Sequence, residues 1–276
     1  MNSAMAPLAL PRLEERSRVT QARVALSEWT KFVSLRSTRW SLGVGILLTI
    51  ALPVVFAAVT GSHWAHMSAP ERADRHPLDI ALAGVNVAQL AIAVLGVLVI
   101  SGEYSTGMIR SSLIAVPKRL PVLWAKIAVY AAVSFILTLP AVIIAFFASQ
   151  AILSRHHILQ LSFGDPGVAR SVLGGALYVT LVGIFALGIG TILRNTAGGI
   201  AAFAGIFFVI PPLMNILPTS WNNAISQYLP SEAGRQLFSL HHAAHSLSPT
   251  AGGLLMLGYC ALTVAVAAVV LVRRDA

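Results

Sequence analysis

The chain has 276 residues, of which 57% are hydrophobic and only 11% charged, with a formal net charge of +9. A soluble domain carries about 25% charged residues, so this composition excludes a water-soluble globule and selects a bilayer protein. Its single cysteine, Cys260, excludes an intramolecular disulfide and a thiolate metal cage and, inside an apolar run, is expected to be a small packing residue.

Residues 1–19 are polar and rich in charge, and are expected to form a mobile cytoplasmic tail. This segment is too long for the n-region of a signal peptide, and the apolar run behind it has spanning length. Over residues 20–39, Ala22, Leu26, Trp29 and Val33 recur at helical spacing, widened by Ala25 and Phe32, while Arg23, Glu28, Lys31 and Arg36 lie mostly elsewhere. This pattern predicts an amphipathic helix lying along a membrane surface with Trp29 as an anchor; packing on a soluble partner is the alternative.

Six apolar runs follow, at residues 40–59, 80–100, 122–148, 173–193, 197–217 and 254–272. Each is long enough to cross a core about 30 Å thick at a rise of about 1.5 Å per residue, and only a helix satisfies its own backbone there. The fold expected is therefore an all-α membrane protein with six transmembrane helices. Kinks are expected at Pro53, Pro140 and Pro211-Pro212, because proline removes a donor and crowds the preceding turn.

With six spans, fourteen Lys and Arg residues fall on one face of the membrane and five on the other, whereas the ten acids divide equally. The whole net charge thus sits on one face. That predicts cytoplasmic termini and explains the basic balance by topology. A nucleic-acid binder would instead gather its charge on a folded domain with interleaved aromatics, so no nucleic-acid partner is expected.

All eight histidines (His63, His66, His76, His156, His157, His241, His242 and His245) fall in connections assigned to the outer face. His241 and His245 share a helical face, but the stretch lacks the glutamate of the H-E-x-x-H zinc pattern. They are read as interfacial side chains, with metal binding and pH sensing as the alternatives. In the longest outer connection, residues 218–250, Trp221, Ile225, Tyr228 and Leu229 recur at helical spacing. Pro230 interrupts the pattern, and Ser231 is a candidate cap for a second short helix running to Phe238 or Leu240. Too apolar for a free loop and too short to span twice, it is expected to form an outer re-entrant helical segment that lines or closes a pathway, or simply packs.

Within the spans, Asn86 and Gln89 share a face and are candidates for either helix-helix hydrogen bonding or pathway lining. Ala201, Gly205, Gly183, Gly188 and Gly190 suggest close helix contacts. No ionisable residue is expected deep in a span; Lys126 lies near an end, where it can snorkel. That absence argues against ion-driven transport and against an intramembrane hydrolase.

Residues 101–119, between the second and third runs, read S-G-E-Y-S-T-G-M-I-R-S-S-L-I-A-V-P-K-R. Gly102 and Gly107 have phosphate-loop spacing, but Met108 and Ile109 stand where lysine and a magnesium-binding hydroxyl are needed, so no intrinsic ATPase is expected. The segment is long enough for about three helical turns before Pro117. On one such helix Glu103 and Arg110 share a face about 10 Å apart, too far to pair with each other and available to a partner. The chain reads as a conduit whose energy comes from a separate polypeptide.

The stretch G-E-Y-S-T-G-M-I-R followed by L-x-x-V-P-K-R resembles the ABC-2 type permease subunits of bacterial ABC transporters, in which a G-E-[YF]-x-x-G-x-[IL]-[RK] segment follows the second span. The amphipathic N-terminal helix, the six spans and the outer segment before the last span extend the likeness over roughly residues 20–274. The resemblance implies an elbow helix at 20–39 and a six-span permease domain at 40–276 in a bacterial cell membrane. It also implies a cytoplasmic coupling helix, with Gly102, Glu103, Tyr104, Gly107 and Arg110 at motif positions. The expected partners are a cytoplasmic ABC ATP-binding subunit, which would hold the ATP and Mg, and a second permease copy or paralogue forming a dimer. The expected cargo is a hydrophobic or amphipathic molecule such as a drug, antibiotic or lipid. A secondary carrier or channel, and a membrane-embedded enzyme or sensor, are the competing readings.

Overall fold

The computed structural model describes residues 20–108, 119–158, 160–240 and 246–273. The described residues are helical and turn segments with no strand. Helix α1, Gln21–Ser34, is capped by the Thr20 side chain, which accepts from the Arg23 N–H. Leu35 is extended, and helix α2, Arg36–His63, begins directly behind it. The predicted amphipathic helix is therefore shorter than 20–39, because its last residues start the first apolar helix.

A short α3, Ala69–Ala73, carries a Ser68/Glu71 capping box. It leads to α4, Pro77–Ser105, and α5, Arg119–Arg155, follows. α5 has 37 residues, about 56 Å at the helical rise, so both its ends project beyond a hydrocarbon core. Next come α6, Val168–Leu193, and α7, Thr196–Ala204, which runs through a π-helical turn at Gly205–Val209 into α8, Ile210–Met214. Pro211 and Pro212 bring no N–H to this stretch, and a wider turn just before them is one way a helix absorbs that loss. α2 and α5, by contrast, remain continuous through Pro53 and Pro140. α9, Thr219–Ile225, α10, Pro230–Arg235, and α11, Pro249–Arg273, complete the described chain.

Six helical stretches are long and apolar enough to cross a membrane: α2 with the turn after it, α4, α5, α6, α7 through α8, and α11. They are not equivalent. The most apolar window of α6 is 83% buried, whereas that of α7–α8 is 17% buried. α6 is thus the axis of the bundle and α4 its main neighbour, with one apolar cluster running through both and into α5 and α11.

The α4–α6 crossing depends on two missing side chains. A Cβ at Gly96 would lie 2.4 Å from the Gly183 carbonyl oxygen. Gly183 in turn leaves room for Tyr130 of α5, whose hydroxyl donates to the Ile92 carbonyl at 2.7 Å. Gly188 packs close to Thr263, and Gly190 to Val97 and Ile100. Ala201 is exposed and Gly205 has open space at its Cβ position, so these two small residues make no close helix contact within the chain. Cys260 is buried, its thiol donating to the Leu181 carbonyl at 3.2 Å.

Two predictions for residues 218–250 need correction. Pro230 opens α10 and does not interrupt a helix, because its missing N–H costs nothing in a first turn. Ser231 lies inside α10 and caps nothing, and the helix ends at Arg235, well before Phe238. α10 is largely buried against the bundle, whereas Trp221 on α9 is 62% exposed.

Candidate functional site

Four charged side chains from three helices meet at the end of the bundle where α4 stops and α5 starts. Glu28 and Lys31 come from α1, Glu103 from the last turn of α4 and Lys126 from the second turn of α5. The Lys126 Nζ lies 2.5 Å from Glu28 Oε2 and 2.9 Å from Glu103 Oε1. The Lys31 Nζ lies 2.6 Å from Glu28 Oε1 and 3.2 Å from Glu103 Oε1. Each lysine touches both glutamates, so the four charges close a ring and cancel.

The ring is shielded from solvent. The side chains of Lys126, Glu28 and Glu103 are 3%, 4% and 8% exposed, and Lys31 is the most open of the four. Its walls include Phe32, Val99 and Val129. Unpaired charges in such surroundings would be costly; matched ones are tolerated. Burial pushes the Glu28 carboxyl up, but the attraction and hydrogen bonds of Lys126 and Lys31 outweigh it and leave Glu28 below its usual range. For Lys31, burial lowers the ammonium, and its contacts with Glu28 and Glu103 outweigh that and raise it. Only one oxygen of Glu103 is used in the ring. Its Oε2 is buried without a hydrogen-bond partner among the described residues.

Three sequence expectations change here. Glu103 is not left free for a partner: it is held inside the chain by two lysines. Lys126 does not snorkel outwards; it is among the most buried charged residues described. Ser101 to Ser105 do not open a separate helix, because they continue α4. The Ser105 and Thr106 hydroxyls fold back onto the Gly102 carbonyl, and Gly107 at φ +72 breaks the helix in the left-handed region. The expected shared face of Glu103 and Arg110 involves Arg110, which lies outside the described residues.

The other motif residues surround the same end. Gly102 has nothing within 4 Å of its Cβ position. The Tyr104 ring lies under the Arg194 guanidinium at 4.9 Å, and its hydroxyl is buried without a partner among the described residues. Arg194 also donates to the Val270 carbonyl and Arg119 to that of Leu271, so both arginines hold the last turn of α11, where a helix carries partial negative charge. Thr196 at the start of α7 donates to Ser101 at 2.8 Å. The end of α4 is thus tied to α1, α5, α6, α7 and, through the arginines, α11.

Asn86 and Gln89 sit elsewhere on α4. Gln89 is buried, accepts from the Tyr178 hydroxyl and donates to the Asn86 carbonyl. Both ends of its carboxamide are therefore engaged, as in a helix-helix tie. Among the described residues no three His, Cys, Asp or Glu side chains gather as a metal site; His241, His242 and His245 lie outside them. Sequence reasoning missed Glu28, Lys31 and Lys126 as parts of this site. The usable signal was Lys126: a lone charge in an apolar helix with no acid within a turn of it needs a carboxylate from another element. No family model matches the chain, and no curated protein matches it significantly.

Proposed function

We propose that the chain is the transmembrane permease subunit of an ATP-driven exporter of the ABC-2 type, with its α1 face and both termini cytoplasmic. A separate ATP-binding subunit docks where α4 ends and supplies ATP and Mg; a second permease copy or paralogue completes the pathway. The observation that carries the reading is the position of Glu103. The motif glutamate stands at the junction of α4 with the 106–118 connection and is ion-paired to α1 and α5. A push on that connection moves α4, and the neutral charge ring carries the displacement to α1 and α5 together.

α1 suits the elbow role. Its buried side presents Val24, Glu28 and Phe32 to the bundle, while Leu26, Trp29 and Val33 are exposed on the other side, where acyl chains and headgroups would cover them. The segment containing α9 and α10 is the re-entrant element at the opposite, outer end. Among the described residues, buried charged side chains are confined to the charge-ring end, whereas an ion-driven carrier needs them deep in its spans.

Glu103→Gln is the decisive variant, since it keeps the shape and removes the charge. Co-purified with its ATPase and reconstituted, the variant is expected to insert normally and to lose most substrate-stimulated ATP hydrolysis. Unchanged stimulation in that variant would refute the coupling role, and uphill transport or nucleotide hydrolysis by the isolated chain would refute the permease reading altogether.

A further inference from the structure

At the end of the bundle opposite the charge ring, α8, α9 and α10 line an open cleft of about 520 Å³, within the usual size of a small-molecule site. Its walls are unusual in composition. Five carboxamides line it: Asn215, Asn222, Asn223, Gln227 and Gln236, with Ser226 between them. Pro211, Pro212 and Leu229 supply apolar surface. Glu232 is the charged residue lining it among the described residues, and it is already compensated by Arg235 at 3.4 Å.

Each carboxamide brings two N–H donors and one acceptor oxygen. Very little of that capacity is spent inside the wall. Asn222 donates to Asn215 at 3.3 Å, Gln227 to the Asn223 carbonyl at 3.4 Å and Gln236 to the Glu232 carbonyl at 3.4 Å. All three contacts are long for N–H···O bonds. The Gln236 Oε1 is buried with no hydrogen-bond partner among the described residues, and a buried acceptor left without a donor is costly. Gln236 is held in place from behind, since Gly252 of α11 leaves it room: a Cβ there would come within 2.8 Å of the Gln236 Cβ and 2.4 Å of the Ala233 carbonyl oxygen.

Among the described residues the only charge on this wall is Glu232, already paired with Arg235, so the wall favours an uncharged ligand. It both donates and accepts at many points, because carboxamides do both. It also has flat C–H faces to lie on proline and leucine. Those three properties together describe a sugar ring. We infer that the α8–α10 cleft is a binding site for an uncharged glycosyl group. The ring hydroxyls exchange hydrogen bonds with Asn222, Asn223, Gln227 and Gln236, and a C–H face rests on Pro211 and Pro212. The inference concerns this cleft alone and stands whether or not an ATPase drives the chain.

The test uses the full chain in phosphatidylcholine nanodiscs, without any ATPase, so that failure here leaves the permease reading untouched. Saturation-transfer NMR with methyl β-glucoside and maltose probes free saccharide; glycine betaine is the net-uncharged, hydroxyl-free control. In parallel, thermal melting compares plain nanodiscs with nanodiscs containing a glucosyl diacylglycerol. Binding of the free glycosides assigns the site to soluble saccharide, and stabilisation by the glycolipid alone assigns it to a lipid headgroup. In either case the Asn223→Leu/Gln227→Leu double variant is expected to weaken the response at least tenfold while melting normally in plain nanodiscs. Gln227→Glu, which keeps the shape and loses the donors, serves if the double variant misfolds. No response to either glycosyl source, an equal response to betaine, or an undiminished response in the folded variant overturns the proposal.

Discussion

Glu103 holds a structural place in the charge ring that can be tested apart from the coupling role proposed for it. Removing its charge leaves two lysines facing one glutamate in a shielded site. Breaking a buried pair in this way costs about 3–5 kcal/mol, so Glu103→Gln should lower the unfolding midpoint measurably in detergent. The double exchange Glu103→Lys/Lys126→Glu restores neutrality. It is expected to recover much of that loss, and a double-mutant cycle on the melting data checks it. If the double exchange is as unstable as the sum of the single variants, the two side chains do not interact.

The pH dependence follows from the same ring. Glu28 has a carboxyl lowered from 4.5, so its contribution is complete above pH 4.5 and disappears as pH falls through the lower folded value. Lys31 is raised from 10.5, so its contribution is complete below pH 10.5 and is lost as pH rises through its higher folded value. Stability should therefore be flat between these limits and fall in acid. In a Glu28→Gln variant the acid fall should be smaller, and a melting series from about pH 2 to about pH 7, on both sides of the carboxylate range, decides it.

At the scale of elements, what matters is which surface of each helix meets protein and which does not. α1 turns its Glu28 face to the bundle and leaves Trp29 48% exposed. In a variant whose other four tryptophans are replaced by phenylalanine, brominated acyl chains are expected to quench the Trp29 emission strongly; quenching no greater than for a water-exposed indole would remove α1 from the membrane surface. The crossing of α4 and α6 invites a paired test. Gly96→Ala drives a methyl into the Gly183 carbonyl, and overpacking of this kind costs about 1–3 kcal/mol. Gly102→Ala, on the same helix, meets nothing within 4 Å and should leave stability unchanged or slightly raised. If Gly102→Ala nevertheless lowers ATPase stimulation in the reconstituted complex, the open space at Gly102 is where the partner sits.

For the whole molecule, the bundle has a closed end and a polar open end. At one end ion pairs, arginine-carbonyl contacts and the Thr196–Ser101 hydrogen bond knit five elements around the last turn of α4. At the other, α8 to α10 line an open cleft rich in unspent hydrogen-bonding capacity. α6 runs between them as the buried axis, while α7–α8 remains the least covered span. In the proposed dimer that uncovered face is where a second subunit would pack.

Six helices long and apolar enough to cross a membrane, and the helical class, were legible in the residue order, because both rest on local hydropathy and helical period. The break at Gly107 was not legible: the residue order suits one helix on to Pro117, whereas the structure ends α4 at Ser105 and puts Gly107 at positive φ. The gathering of Glu28, Lys31, Glu103 and Lys126 was not. Glu28 and Lys126 are 98 positions apart and look like two unrelated polar residues until α1 folds against α5. The same holds for Gln89, whose partner Tyr178 is 89 residues away, and for the carboxamides of the cleft, which three short helices bring together. Hydropathy and period decide which segments leave water. Only packing decides which buried charges and amides find each other, because pairing depends on distances that sequence separation does not encode.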